Sequence, residues 1–406
     1  MSVFSEKKIK KIHNVISVIR GEIEPDRYVM VGNHRDSWTF GSIDPSSATS
    51  VLLEVSRSLS ELRKNSNWLP KRSILFLSWD AEEYGLIGST EWVEEFYKKL
   101  TANGIVYINC DNAVQGTFSY EAKASPQLHK LLVEVTKNIR YDDKLSIFDR
   151  WLENNPNEDG TWPKINSNLG SGSDHAVFLQ RLGIPCIDQK FVRYKKEEKF
   201  KNIFGYPLYH TSYETFELVE RYMDPEFFAL TSITKVIGET TRVLSDSLIL
   251  PFDLENYHKD IKNQIKLFDK QYGLRLNKFN ISLNNLAESI ENLGKNVKNF
   301  NDRLNQIDKS KYHLVRQFNE QMKNFERSFL DVYYLETGSM HTLYAPSSMN
   351  KYVGNSFPGV VESIIKLDDS QSFSEDLIEN IRVNLAILIN SIQSASHTLK
   401  DPADFS

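Results

Sequence analysis

The chain has 406 residues, which is enough for two domains with sizeable cores. Its 40% hydrophobic and 25% charged residues are ordinary for a globular protein, and a net charge of -5 gives no support to a nucleic-acid or membrane-surface partner. Its two cysteines, Cys110 and Cys186, each lie inside an apolar run, which favours buried thiols over a disulfide.

Hydropathy gives no indication of a membrane span. No stretch approaches the roughly 20 apolar residues that a membrane helix needs. The first residues, 1–8, lack the apolar core of a secretory signal. The chain as written is therefore expected to be soluble.

Up to about residue 247, short apolar runs alternate with helical patterns. Strands are predicted at 27–32, 73–79, 105–110 and 183–187, and helices at 48–62 and 89–100. Continuous apolar strands separated by helices predict an α/β fold, with a mostly parallel sheet covered by helices on both faces. Asn, Gly and Pro between 145 and 172 predict a long irregular loop.

From about residue 251 the residue pattern is typical of helices. Apolar residues spaced by three and four form one sustained stripe over 279–307, and further stripes cover 314–329 and 377–399. This pattern predicts an all-α bundle, packed on the α/β domain or on another subunit, rather than an extended coiled coil. The predicted domains are therefore 1–247 and 248–406.

Acidic residues and histidines occur in five segments, four of which are the end of a predicted strand or the loop that follows it. They are His34, Asp44, Glu82, Glu83, Asp111 and His210. Open α/β sheets bind their ligands at the carboxyl ends of their strands. Two histidines with several carboxylates suit two zinc ions bridged by a shared carboxylate. The pattern predicts a metal-dependent hydrolase.

Each of these residues also has a structural interpretation when taken alone. Asp44, followed by Pro45, could be a helix N-cap. Glu82 and Glu83 could form the solvated acidic start of a helix, and His210 could be a hydrogen-bonding residue in an aromatic loop. Against this, crowded carboxylates cost Coulomb energy unless a cation is present. One glutamate can bind metal while its neighbour takes a proton from the attacking water.

Long motifs resemble the glutamate carboxypeptidase II family, which includes N-acetylated alpha-linked acidic dipeptidase and prostate-specific membrane antigen. The matching segments are 28–45, 78–92, 205–210, 344–348 and 350–352. The resemblance covers nearly the whole chain. It implies a co-catalytic dizinc peptidase of the zinc-exopeptidase fold, followed by a helical dimerisation domain like that of the transferrin receptor.

The family pattern implies a role for each candidate. Asp44 would bridge two Zn²⁺ ions; His34 and Asp111 would complete the protein ligands of one ion, and Glu83 and His210 those of the other. Glu82 would be the general base and proton shuttle. Tyr209 would hydrogen-bond the tetrahedral intermediate.

The same resemblance implies substrate-binding positions. Lys351 and Tyr352 would grip the free carboxylate of a C-terminal glutamate. Gly172, Ser173 and Arg193 lie in the family's substrate-binding stretches. Two departures weaken a preference for an acidic residue upstream of the cleaved bond, since Ser173 replaces an Asn and Phe191 replaces an Arg. Glu91 and Glu94 match positions that help to bind a structural calcium ion.

Family members are longer at the N-terminus. They carry a cytoplasmic tail, a membrane helix and an apical domain before the region that this chain matches, and they are type II plasma-membrane proteins with an extracellular catalytic region. The first strands of the peptidase domain and the apical domain are therefore expected to be missing here. The resemblance also implies a homodimer formed through the helical domain.

The leading hypothesis is a dizinc exopeptidase that releases a C-terminal residue, expected to be glutamate, from small peptides. Related dizinc enzymes share the same metal ligands, so an aminopeptidase or dipeptidyl-peptidase is the alternative within enzymes. Outside enzymes, the alternatives are a non-catalytic homologue resembling the transferrin receptor, or an inactive fragment. Retention of all five ligand positions and Glu82 favours an enzyme.

Overall fold

The computed structural model describes residues 2–194, 205–331, 338–369 and 374–404. In the first half, strands alternate with helices. The elements are β1 (Val15–Ile19), β2 (Glu24–His34), α1 (Ser46–Ser66), β3 (Arg72–Trp79), α2 (Ile87–Glu95), α3 (Tyr97–Asn103), β4 (Gly104–Asn109), β5 (Val114–Gln115), β6 (Ser119–Ala124), α4 (His129–Asn138), α5 (Ile147–Asn154), α6 (His175–Leu182), β7 (Cys186–Val192), α7 (Phe216–Leu218) and α8 (Phe228–Asp246).

The second half is mainly helical. Its elements are α9 (Leu254–Lys278), α10 (Asn284–Gln306), α11 (Tyr312–Arg327), the short strands β8 (Tyr344–Pro346) and β9 (Gly354–Ser356), α12 (Pro358–Asp369) and α13 (Glu375–Thr398). In the parts of the chain that the structure describes, none of these helices combines the length and the apolar character needed to cross a bilayer.

The main sheet has the strand order β1-β3-β2-β4-β7-β5, with β6 also paired to β7. β2 is parallel to both β3 and β4, and β7 is parallel to β4 and β5. β1 and β6 run antiparallel to their neighbours. The prediction of a mostly parallel sheet is confirmed, and three of the predicted strands correspond to β2, β3 and β4 at its centre, while the strand predicted at 183–187 lies further along the chain as β7.

Helices cover both faces of this sheet, as predicted. On β2, Val29 and Val31 belong to a core formed with α1, α4 and α8, whereas Met30 belongs to a second core formed with α2 and α6. Alternate strand residues point to opposite faces, so a strand covered on both sides must be apolar throughout. This is why β4 is buried at every residue.

The helical half forms a bundle, but the predicted stripe at 279–307 is not one helix. Five apolar residues of α10 are buried on one face, namely Leu286, Ile290, Leu293, Val297 and Phe300. The preceding residues Phe279 and Leu283 lie instead in the turn between α9 and α10. Asn280 has a φ of 53° there, a left-handed conformation that Asn tolerates. The three- and four-residue spacing continued across this turn and concealed it.

Two further expectations about elements were wrong. The predicted helix at 89–100 is two helices, because the chain breaks at Phe96 between α2 and α3. The predicted irregular loop at 145–172 begins with α5, whose N-terminus carries a capping box between Ser146 and Asp149. The expectation for the cysteines is confirmed, since both thiols are free and buried.

A buried polar cluster joins the two halves. Glu326 on α11 accepts hydrogen bonds from the Tyr257 hydroxyl at 2.9 Å and from Nε2 of Gln127 at 2.5 Å. Nε2 of His341 lies 3.0 Å from the same carboxylate, and Nδ1 accepts the backbone N–H of Tyr344 at 3.2 Å. The cluster therefore holds the start of the segment that runs on to Tyr352 against the α/β half.

The bundle core gives a first prediction. Phe300→Ala on α10 should lower the free energy of unfolding by about 3–5 kcal/mol, because the side chain is completely buried and truncation leaves a cavity. Leu274→Ala on α9 is the matched control; that side chain is 86% exposed, and its loss should change stability by less than about 0.5 kcal/mol. Denaturant unfolding followed by circular dichroism measures both. Equal effects would contradict the assignment of Phe300 to the core.

Candidate metal centre

Most residues of the centre lie at or just after the carboxyl ends of three parallel strands, β2, β3 and β4. His34 is the last residue of β2 and is aligned with Trp79 at the end of β3, while Gly32 is aligned with Asn109 at the end of β4. The residues that follow β3 and β4 therefore meet at one edge of the sheet. Glu82, Glu83 and Asp111 come from these segments, as the sequence predicts.

Five side chains form two groups with closely spaced potential ligand atoms. His34, Asp44 and Asp111 form one, and Asp44, Glu83 and His210 form the other. Nε2 of His34 lies 3.1 Å from Oδ1 of Asp44 and 3.1 Å from Oδ1 of Asp111. Nε2 of His210 lies 3.2 Å from Oδ2 of Asp44 and 3.2 Å from Oε2 of Glu83. Asp44 thus presents one oxygen to each group.

The alternative roles of these residues are not what the structure shows. Helix α1 starts at Ser46 with no side-chain hydrogen bond capping it, so Asp44 is not an N-cap. Glu82 and Glu83 lie in a turn before α2, and the Glu83 side chain is only 5% exposed. His210, with a φ of 58°, turns its ring towards two carboxylates.

Asp36 contacts both His34 and the turn that contains Glu82 and Glu83. Its backbone carbonyl lies 3.0 Å from Nδ1 of His34, and its carboxylate accepts the N–H groups of Glu82 at 2.9 Å and Glu83 at 3.2 Å. Ala81, the residue before Glu82, has a left-handed φ of 56°. One aspartate therefore fixes both a histidine ring and the turn that carries the two glutamates, which sequence analysis did not detect.

Burial and mutual repulsion perturb the carboxylates. Burial, followed by the charge of Asp111, raises the pKa of Glu82 to about 10. Burial and the charge of Asp44 raise the pKa of Glu83 to about 7. Burial and the same charge raise the pKa of Asp111. Burial alone would raise the pKa of Asp44 as well, but hydrogen bonds from His210 and His34 hold it well below its usual value.

The two histidines respond in the opposite sense to their burial. Burial by itself would lower the pKa of His34, but the charge of Asp111 outweighs it and holds this pKa well above its usual value. Burial opposes protonation of His210 too, but the hydrogen bond with Asp44 and the charge of Glu83 raise its pKa. The cluster thus takes up protons in place of a cation.

The donor set fits metal ions. A carbonyl oxygen can only accept, so Nδ1 of His34 carries the proton, and in the neutral ring Nε2 is a lone pair aimed at two carboxylate oxygens. Among the residues that the structure describes, Oε1 of Glu83 is buried without a hydrogen-bond donor. A cation between these atoms relieves the repulsion, and imidazole with carboxylate ligands suits zinc.

A cavity of about 420 Å³ opens beside the centre. Its lining includes Asp111 and five residues from other segments, namely Gly172, Ser173, Tyr206, Tyr209 and Tyr352. The Tyr209 ring stacks on the His210 ring at 3.7 Å between centroids. A Cβ on Gly172 would lie 2.7 Å from the Tyr352 ring, so only glycine permits this approach. The helical half therefore supplies part of the wall.

Other predicted substrate residues are placed differently. The Ser173 hydroxyl accepts a hydrogen bond from Nδ2 of Asn109 at 2.9 Å and also bonds Asp111. Lys351 contributes its carbonyl oxygen, which accepts the N–H of Ser171 at 2.9 Å. Neither Lys351 nor Arg193 is among the described residues that line the cavity. Their substrate roles stay predictions.

The lining also contains four residues with titratable side chains that sequence analysis did not identify. They are Lys123, His175, Asp188 and Lys190. Lys123 and Lys190 lie on the adjacent antiparallel strands β6 and β7, and Asp188 accepts a hydrogen bond from Asn109 at 3.0 Å. No spacing rule relates β6 to the candidate metal ligands, because its position depends on pairing with β7.

The expected calcium residues lie apart from this centre. Glu91 and Glu94 are exposed on α2, and Glu94 is ion-paired with Arg181. Within the described ranges, neither belongs to a group of three closely spaced ligand atoms. The calcium site stays a prediction.

The raised pKa values predict how stability depends on pH when no metal is bound. Glu82 and Glu83 keep protons in the folded chain that the unfolded chain releases near pH 4.3, so the free energy of unfolding should fall as pH rises from about 5 to 8. The raised values of His34 and His210 act in the same direction. Melting temperatures of the chelator-treated protein measure this.

Glu82→Gln is the control for that pH profile. It removes one titrating carboxyl with little change in shape, so the variant should melt at a higher temperature than the metal-free wild type, and the gap should widen from pH 5 to 8. A gap that stays constant over this range would contradict the raised pKa of Glu82.

Comparison with known proteins agrees with this architecture. Residues 14–227 match the model of peptidase family M28, and residues 281–400 match that of the transferrin receptor-like dimerisation domain. A zinc aminopeptidase structure from Bacillus subtilis is 21% identical, with a TM-score of 0.41, over 58% of this chain and 50% of that chain. This structural likeness is too low to support an inference.

Curated relatives are more similar. The aminopeptidase NAALADL1 of Mus musculus is 35% identical over 100% of this chain and 54% of the relative. The probable glutamate carboxypeptidase LAMP1 of Arabidopsis thaliana is 36% identical over 98% and 56%. A glutamate carboxypeptidase 2 homolog of Caenorhabditis elegans is 32% identical over 99% and 54%. The chain spans about half the length of these relatives, and it belongs to peptidase family M28.

Proposed function

We propose that the chain is the catalytic part of a dizinc metallopeptidase that hydrolyses a peptide bond in small peptides. The observation that carries the proposal is the pair of ligand groups that share Asp44, next to a cavity that Asp111 lines. His34 and Asp111 would hold one zinc ion with it, and Glu83 and His210 the other. Zinc supplies Lewis acidity that polarises the peptide carbonyl and makes water more acidic.

Glu82 is the residue suited to move the proton. It adjoins Glu83 but belongs to neither ligand group, so its carboxylate is free to accept a proton from the attacking water and pass it to the leaving amine. Burial in a site rich in carboxylates gives it a strong affinity for that proton, as the raised pKa of Glu82 shows. Metal cations would bring this pKa back down towards neutrality.

Tyr209 is suited to stabilise the negative charge that develops on the carbonyl oxygen. Burial and the charge of Asp44 raise the pKa of Tyr209 far above its usual value, so its hydroxyl keeps the proton and remains a hydrogen-bond donor. Its ring is held against His210, which places it beside the second ligand group. A donor preorganised in a partly dry site stabilises such a charge more than water does.

For the substrate, we propose release of a C-terminal residue, with glutamate expected. Tyr352 at the cavity wall supports this, as do the names of the relatives from Arabidopsis thaliana and Caenorhabditis elegans.

An aminopeptidase is the second candidate. The name of the mouse relative favours it, and Asp188 gives the cavity a partly buried carboxylate that could receive a free amino group. The match of 281–400 to a dimerisation domain supports a homodimer.

Zinc content and the general base test the reaction. Purified protein should bind two zinc ions per chain, one for each ligand group. Glu82→Gln should keep both ions but lower kcat by a factor on the order of 10² to 10⁴, because the proton acceptor is lost. Elemental analysis and peptide hydrolysis measure these. Absence of zinc would favour the receptor-like alternative, and full activity of the variant would refute the role of Glu82.

Blocked dipeptides test which end of the substrate is recognised. An N-acetylated dipeptide ending in glutamate should be hydrolysed, and its C-terminal amide should not, because the free carboxylate is required for binding. An aminopeptidase would show the reverse preference, cleaving an aminoacyl amide with a free amino group and rejecting every N-acetylated peptide.

Tyr352→Phe, which removes a hydroxyl at the cavity wall, should raise KM for the carboxypeptidase substrate more than it lowers kcat.

A further inference from the structure

Glu214 is a buried acid close to the metal centre that belongs to neither ligand group. It lies four residues after His210, in the loop that leads into α7. It is also absent from the described lining of the cavity, so substrate contact does not account for it. A carboxylate in such a place is retained only if its hydrogen bonds compensate for its desolvation.

One carboxylate oxygen of Glu214 holds the backbone of the bridging ligand. Oε1 accepts the N–H of Asp44 at 2.6 Å and the N–H of Ile43 at 3.1 Å. Two successive N–H groups that converge on one anion form a cradle that fixes the local backbone. The Ile43 side chain is fully buried, which anchors the same segment from its other side. The orientation of the Asp44 carboxylate follows from this backbone.

The other oxygen holds the loop of the second histidine. Oε2 accepts a hydrogen bond from the Tyr206 hydroxyl at 2.8 Å. Tyr206 lies four residues before His210 and packs edge-on against Tyr209, with ring centroids 5.8 Å apart. The same two loops are also joined by a backbone hydrogen bond, in which the N–H of Ser42 donates to the Glu214 carbonyl at 3.2 Å. The one side chain therefore connects two loops that are about 170 residues apart in sequence.

We infer that Glu214 is a positioning residue that sets the distance between the bridging carboxylate of Asp44 and the imidazole of His210. The inference rests on the proposed dizinc function. Asp44 comes from the β2–α1 connection and His210 from a loop with no regular secondary structure, so the sheet alone does not fix their separation. Ligand atoms must be placed within a few tenths of an ångström to bind zinc, and residues behind the ligands provide that precision.

Zinc affinity tests this inference more directly than stability does. Glu214→Ala should weaken Zn²⁺ binding by about 10- to 100-fold, the usual effect of losing a residue that supports a ligand, and should lower kcat with little change in KM. Glu214→Gln should restore affinity to within a few-fold of wild type, because its amide oxygen can accept both N–H groups while its NH₂ faces Tyr206. Competition titration with a chromophoric chelator measures affinity in the full chain.

Two further variants keep the test decisive if Glu214→Ala folds poorly. Tyr206→Phe keeps the ring and removes only the hydroxyl, so it should weaken Zn²⁺ binding less than Glu214→Ala but measurably. Glu217→Ala, at an exposed residue of α7 paired with Arg221, should bind Zn²⁺ as the wild type does. Absorption spectra of the Co²⁺-loaded proteins should change for Glu214→Ala and Tyr206→Phe and not for Glu217→Ala, which a general loss of stability would not produce.

The outcomes separate this inference from the function beneath it. If the wild type binds Zn²⁺ and hydrolyses peptides while Glu214→Ala and Tyr206→Phe match it in affinity and kcat, the positioning role is overturned and the dizinc function stands. If the wild type binds no Zn²⁺, the proposed function is overturned and the inference fails with it. A loss of affinity in both variants, with recovery in Glu214→Gln, supports the positioning role.

Discussion

The structure around the centre depends on the shared use of one carboxylate. Asp44 is almost completely buried, and its two oxygens lie 3.1 Å and 3.2 Å from the Nε2 atoms of His34 and His210. The carboxylate thus presents a different oxygen to each histidine. One approaches from the end of a strand and the other from a loop, so the fold has to bring together segments about 170 residues apart.

This arrangement has an electrostatic cost that defines its chemistry. The three carboxyl groups of the two ligand groups and the carboxyl group of Glu82 lie close together, and burial together with their mutual repulsion raises the pKa of Glu82 and Glu83. Protons or metal cations must compensate, which couples metal affinity to pH. Burial and the same repulsion raise the affinity of Glu82 for a proton, which is the property that the proposed general-base role uses.

Prediction from sequence succeeded where the local pattern reflects the environment. The central strands β2, β3 and β4 were predicted because strands covered on both faces are continuously apolar, whereas the strand predicted at 183–187 overlaps β7 only at Cys186 and Ile187. The turn at Asn280 and helix α5 were missed, since apolar spacing crossed the turn and the capping box was overlooked among loop-forming residues. Strand β6, which brings Lys123 to the cavity, exists only through pairing with β7.

The sequence by itself determined the α/β sheet, the helical bundle and the residue types of the candidate metal centre, because burial and strand-end position leave a local record in composition and spacing. Only the tertiary structure decided that Asp44 faces both histidines, that Tyr352 from the helical half reaches the cavity, and that Glu214 connects the two ligand loops. These features are contacts between segments far apart in the chain. Their geometry arises from packing and hydrogen bonding, which local residue patterns do not encode.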